Sequence, residues 1–214
     1  MNCERYNDNA RREVIPYIPS SAHSLLDVGC ARGGFAGALA EARPDVEIDG
    51  LEPDDAAAAV AEPLLRSLFR GAFPEWMPEG HRYDCVTFLD SLEHMVDPWS
   101  ALRQAKTLLS PAGCVVASIP NVRHISVLRQ LLLNGEWRYE DQGLLDRTHL
   151  RFFTRRSMIR LFEEADYRIE LITPVNSSVG SKVHRMARFS ATAKDLSCEQ
   201  YVIRARAGGH TWAS

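Results

Sequence analysis

The run Ser24-Leu25-Leu26-Asp27-Val28-Gly29-Cys30-Ala31-Arg32-Gly33-Gly34-Phe35-Ala36-Gly37-Ala38-Leu39-Ala40-Glu41-Ala42 reads as strand, glycine turn and helix. Leu25, Leu26 and Val28 make a short apolar run of the kind found in strands buried on both faces. Gly29, Gly33 and Gly34 interrupt it, Phe35, Leu39 and Ala42 then recur at helical spacing, and Pro44 follows the expected helix end. Glycine permits positive φ and close approach of a ligand. A strand-to-helix turn also aims unpaired N–H groups outward. Open α/β sheets bind ligands at the carboxyl ends of their strands, so this is a nucleotide-like binding turn.

The loop lacks the G-x-G-x-x-G of a dinucleotide turn and the Gly-Lys-Ser/Thr ending of a phosphate loop. It carries an acid instead, Asp27, two residues before Gly29, which suits a ligand with a cationic or hydroxyl-rich part. Taken alone, the loop also admits the lesser reading of a plain turn in an α/β protein, and its neighbours count against that. The next strand, Val46–Leu51, leads into Glu52, 25 positions beyond Asp27. A carboxylate at that strand tip offers lone pairs and no donor, which matches a ribose diol. Pro53 and Asp54 also open an alanine-rich helix through Ala61, so Glu52 doubles as a helix-terminal acid. Leu68–Arg70 is a short third strand before Gly71. Tyr83–Leu89 is a clear fourth, ending in Asp90-Ser91-Leu92-Glu93-His94-Met95-Val96-Asp97-Pro98. Asp97 is a natural N-cap and Pro98 a natural first helical residue. That helix is expected to bury Leu102, Ala105 and Leu109 and to stop at Ser110-Pro111-Ala112-Gly113; a fifth strand, Cys114–Ile119, ends in Pro120-Asn121.

Asp27-Val28-Gly29-Cys30-x-x-Gly33 resembles the first motif of the class I S-adenosylmethionine-dependent methyltransferases, with Ala31 where the family commonly has a second glycine. The strand-four ending Leu92-Glu93-His94-Met95-x-Asp97-Pro98 is similar to that of their small-molecule members. The resemblance is specific from Leu25 to Asn121. It implies a Rossmann-like α/β fold, a seven-stranded, mostly parallel sheet with helices on both faces and an antiparallel last strand. It implies S-adenosyl-L-methionine as cofactor, contacted by Asp27, Gly29, Cys30, Gly33, Glu52, Pro53, Asp90 and Ser91, with Ala72 and Phe73 beside the adenine.

Residues 122–154 form an insertion before the sixth strand, where the fold places an acceptor pocket. Ile125, Leu128, Leu131 and Leu132 predict a helix; Trp137, Tyr139 and the run Gly143–Thr154 follow, dense in donors and aromatics. Asp146-Arg147-Thr148-His149-Leu150-Arg151-Phe152-Phe153-Thr154 is similar to a D-x-T-H-x-R-x-F-T pattern of polysaccharide-cluster and quinone-methylating methyltransferases. His149 is either a general base or a structural histidine bonded to backbone. His94, just past the fourth strand, is the second candidate base. Arg147 and Arg151 either bind an anionic acceptor or pair with Asp146 or Glu140.

The remainder frames this core. Residues 1–21 read as an N-terminal cap with a short helix, Asn9–Tyr17, broken by Pro16 and Pro19; Tyr6 lies on the surface or folds over the cofactor. Thr154 caps a helix burying Met158, Leu161, Phe162 and Ala165, and Asp166 takes the place of the family's terminal glycine. Tyr167–Thr173 and Gln200–Arg206 are the last strands. Lys182–Phe189 is a basic, solvated face, and residues 208–214 are a flexible tail. The 214 residues suit one methyltransferase domain, 45% hydrophobic. A formal charge of −3 leaves no basic footprint for nucleic acid. The 5 cysteines show no C-x-x-C pair or zinc spacing, so no metal is expected, and their scatter fits a reducing cytosol. No apolar run spans a membrane and no leader pattern opens the chain, so a cytoplasmic location is expected. The expected reaction is methyl transfer to an oxygen or nitrogen of a small-molecule acceptor, such as a sugar or polysaccharide precursor. The competing readings are a nicotinamide oxidoreductase, disfavoured by the glycine spacing, and a cofactor-binding subunit without turnover.

Overall fold

A computed structural model describes residues 10–76, 80–177 and 191–208. The strands are β1 (Ser24–Val28), β2 (Glu47–Glu52), β3 (Ser67–Arg70), β4 (Tyr83–Leu89), β5 (Leu109–Pro120), β6 (Tyr167–Ser177) and β7 (Cys198–Ala207). The helices are α1 (Gly34–Ala42), α2 (Asp55–Ala61), α3 (Pro98–Ala105), α4 (Ile125–Asn134), α5 (Arg155–Glu164) and α6 (Ala191–Leu196). One seven-stranded sheet has the order β3-β2-β1-β4-β5-β7-β6. β1 pairs in parallel with both β2 and β4, and β7 runs antiparallel to both β5 and β6. The chain steps outward from β1 to β3, then returns to the other side of β1 with β4. That reversal opens a crevice at the carboxyl ends of β1 and β4, where such sheets bind ligands.

Alternation along the strands divides the core into two layers. Leu26, Val28, Val86 and Phe88 meet Leu102 of α3 and Met158 and Phe162 of α5 on one face. Leu25, Ile48, Cys85, Val116 and Val202 meet Phe35 and Leu39 of α1 and Val14 and Ile18 on the other. Helices therefore cover both faces. The caps follow the sequence: Asp97 accepts from Ser100 N at 2.9 Å ahead of Pro98, Thr154 and Ser157 cap each other's backbone, and Asp166 takes left-handed geometry at φ 59° after α5.

Several boundaries differ from expectation. The N-terminal helix is a 3₁₀ segment, Arg12–Tyr17, that runs through Pro16, and a 3₁₀ turn, Glu62–Leu64, carries Pro63 beyond α2. α3 ends at Ala105, and Leu109 begins β5, with an irregular register between Tyr83 and Cys85 bringing the strand back into phase. On α1 the buried residues are Phe35, Ala36, Ala38 and Leu39, while Ala42 is exposed. Tyr6, the basic stretch Lys182–Phe189 and residues 209–214 lie outside the described residues.

Candidate active site

The turn after β1 holds its shape with left-handed residues. Gly29 has φ 79°, Ala31 49° and Gly33 79°. A Cβ on Gly29 would lie 3.1 Å from Cβ of Ser91, so the β4 tip presses directly on the turn. Ala31 takes the same region at the cost its Cβ imposes there, at the position where the resembling family has glycine. The turn is fastened to β2 by Gly29 N on Leu51 O at 2.8 Å and by Glu52. One Glu52 oxygen accepts from Ala31 N at 2.9 Å and the other from Asp54 N at 2.9 Å. Glu52 is 2% exposed. The cap of α2 falls to Asp54, which accepts from Ala56 N and Ala57 N.

Asp27 sits on β1 opposite Thr87 of β4, whose hydroxyl donates to it at 2.6 Å. Burial pushes the Asp27 carboxyl up to about 6; the Thr87 bond opposes this, the charge of Glu52 adds to it, and Arg11 opposes it. Cys30 is buried beside this pair, and burial raises its thiol above the ordinary range. Ser91 keeps a buried Oγ with no hydrogen-bond partner among the described residues.

Arg11 is the residue that sequence reasoning missed on this side. Its side chain is buried, it pairs with Asp90, it donates to Ser118 of β5, and it reaches Gln200 Oε1 of β7 at 3.3 Å. Gln200 Nε2 in turn donates to Asp90 at 2.7 Å. One guanidinium thus links the tips of β4, β5 and β7 from a polar N-terminal stretch, and nothing in its local pattern distinguishes it from Arg12, which is exposed. Of the remaining expected contacts, Pro53 and Ala72 are exposed at the rim. The Phe73 ring lies in the core, edge-on to Phe88 at 5.7 Å, so its side chain is spent on packing.

The other wall comes from the insertion. The backbone carbonyl of Glu93 accepts from Leu150 N at 2.9 Å and Arg151 N at 3.0 Å, clamping residues 149–151 to the β4 tip. His94 and His149 meet edge to face with ring centroids 4.8 Å apart. His149 is 9% exposed and packs on Phe152, which also contacts Trp137 and Tyr139. Burial lowers the His149 pKa and so does His94, while Asp146 and a bond to the Leu144 backbone pull the other way. Burial pushes Glu93 up to about 8, against its own backbone amide and Arg11. Arg147 pairs with Asp141 at 2.8 Å, not with Asp146 or Glu140 side chains. Arg151 donates to Val96 O and stacks over Trp99.

Residues 4–172 match the family model described as a methyltransferase domain. The chain belongs to this methyltransferase family. Its cofactor is S-adenosyl-L-methionine. The methyltransferase is 28% identical over 150 residues to the ubiquinone biosynthesis O-methyltransferase of Aeromonas salmonicida, covering 66% of this chain and 61% of the relative. It is 34% identical over 115 residues to that of Alkalilimnicola ehrlichii, covering 50% of this chain and 46% of the relative. It therefore spans about half to three-fifths of these relatives' length. Among solved structures, the CcbJ methyltransferase of Streptomyces caelestis shares the fold at TM-score 0.67 and 15% identity, covering 97% of this chain and 93% of that one. The mitomycin 7-O-methyltransferase MmcR does so at 0.66 and 19%, covering 94% and 54%.

Proposed function

We propose that this methyltransferase moves the sulfonium methyl of S-adenosyl-L-methionine to an oxygen of a small molecule. The observation that carries the reading is the paired imidazoles of His94 and His149, fixed beside the β4 tip. In this reading the Asp27–Gly33 turn, Ser91 and Glu52 hold the cofactor, and Glu52 exchanges one backbone partner for the ribose diol. The methyl carbon is already activated, so the protein's main contribution is alignment of the attacking oxygen. A hydroxyl must also lose its proton, and a histidine whose pKa is lowered stays neutral and able to accept it. The names of the relatives support an oxygen acceptor. The aromatic wall of Trp137, Tyr139 and Phe152 suits a flat or sugar-like ring.

Radiolabelled S-adenosyl-L-methionine offered with sugar nucleotides, quinols and amines tests this: label is expected in the hydroxyl acceptors, and label confined to amines overturns it. His149→Ala is expected to keep S-adenosylhomocysteine affinity and to lose at least about 100-fold in turnover, the lower end of general-base assistance. Normal turnover per folded molecule with a lowered melting temperature makes His149 structural and moves the base to His94.

A further inference from the structure

We propose that Glu93, His94 and His149 bind one divalent first-row cation, zinc being the metal their donor set suits best. One donor atom from each lies within 4.8 Å of the others. Around a tetrahedral ion with bonds near 2 Å, ligand atoms stand roughly 3–4 Å apart, so small side-chain rotations close the set.

The second observation is Glu93 itself. It is 1% exposed, and neither carboxylate oxygen has a hydrogen-bond partner among the described residues. A buried carboxyl without a partner either keeps its proton, as burial favours here, or gives it up to coordinate a cation. The nearby guanidinium of Arg151 is turned to Val96 O and does not serve it.

The histidines are held as ligands are held. His94 Nδ1 meets Thr148 O at 3.2 Å, and the His149 ring is buried between His94 and Phe152. A carbonyl only accepts, so in the neutral His94 ring Nδ1 carries the hydrogen and Nε2 keeps its lone pair. An outer carbonyl that fixes the tautomer is the usual support of a metal-binding histidine. The frame is rigid as well, because Glu93 O holds the Leu150 and Arg151 amides. The cysteine spacings could not show this site, since its donors stand at positions 93, 94 and 149.

For the reaction, the inference rests on the oxygen-acceptor reading above. A fourth coordination position accepts the acceptor hydroxyl, and the ion lowers its pKa. The hydroxyl proton passes to buffer, the oxygen–methyl bond forms, and the carbon–sulfur bond breaks with its electron pair going to sulfur. With the ion in place His149 is a ligand and the ion activates the oxygen; without it His149 remains the base.

The full chain, stripped with a chelator, is titrated with zinc by calorimetry and with cobalt by visible absorption. Neither cofactor nor acceptor is present, so the result does not depend on the reaction assigned. One ion per chain is expected. Glu93→Gln should weaken binding by more than about 100-fold, beyond the cost of losing an outer partner. His94→Ala, at an exposed position where folding is secure, should weaken it by at least about 10-fold. No uptake near one equivalent overturns the proposal and leaves His149 as base, and so does unchanged affinity in His94→Ala together with any folded Glu93→Gln.

Discussion

The two walls of the site are built by opposite means. On the cofactor side, the tips of β1, β2 and β4 lock together through backbone turns and short bonds between adjacent strands, such as Thr87 on Asp27 and Glu52 on Ala31 N. On the acceptor side, α4 buries only Val127 and leaves Leu132 and Leu133 76% and 73% exposed. That wall is held where it touches the β4 tip, through Glu93 O and the His94–His149 contact. In the proposed reading a cofactor of constant shape is met by backbone geometry that short sequence motifs specify. In that reading the acceptor is met by side chains on a segment docked through a few tertiary contacts, at Glu93, Val96 and Val122.

The comparison is tested most severely at Asp90. Asp90→Ala leaves Arg11 buried beside the tips of β5 and β7 without its main carboxylate; because Asp90 is 35% exposed and Glu13 remains beside Arg11, the cost is expected at about 2–3 kcal/mol, below that of a fully buried pair. Denaturant unfolding is expected to show it, and a loss under about 1 kcal/mol would mean that the cofactor wall does not depend on this link.

Asp27 sharpens the same side through pH. Its pKa is raised from 3.8 to about 6 in the folded chain, so its contribution is complete below about 3.8 and is lost as pH rises through about 6. The fall amounts to at most about 3 kcal/mol at 1.36 kcal/mol per unit. Asp27→Asn should flatten that part of the ligand-free stability curve; an identical curve in the variant contradicts the assignment.

Glu52→Ala should weaken S-adenosylhomocysteine by roughly 10- to 150-fold, the 1.5–3 kcal/mol of hydrogen bonds to a charged group. Unchanged affinity in a folded variant reduces Glu52 to a brace between Ala31 and Asp54. The smallest effect belongs to the other wall: Leu132→Ser should change stability by less than about 0.5 kcal/mol, as at other exposed positions. A loss of 2 kcal/mol or so there would show that α4 is packed more firmly than its exposure implies.

The central strands and the glycine turn were legible because their signals are local. Apolar runs marked β1 and β4, positive φ called for Gly29 and Gly33, and Asp97-Pro98 and Thr154 announced α3 and α5. The acid at the β2 tip was legible too, since strand and turn together set its place. The helical period of α4 was readable, but its burial was not: Leu131 and Leu132 fit an apolar face that stays exposed among the described residues. The start of β5 was misread because Leu109 continues the α3 period while Tyr83 claims it for the sheet.

The sequence by itself determined the parallel sheet, the cofactor turn and the order of the strand tips, since each depends on residues within one strand–turn–helix unit. Tertiary structure alone decided which charges are buried and whom they face. Arg11 gains its contacts only when the chain folds back over β4, β5 and β7, and the Phe73 ring packs into the core against Phe88. Glu93 meets His149 across 56 positions of chain. Burial and pairing arise from contacts between distant segments, and no local pattern of residues encodes them.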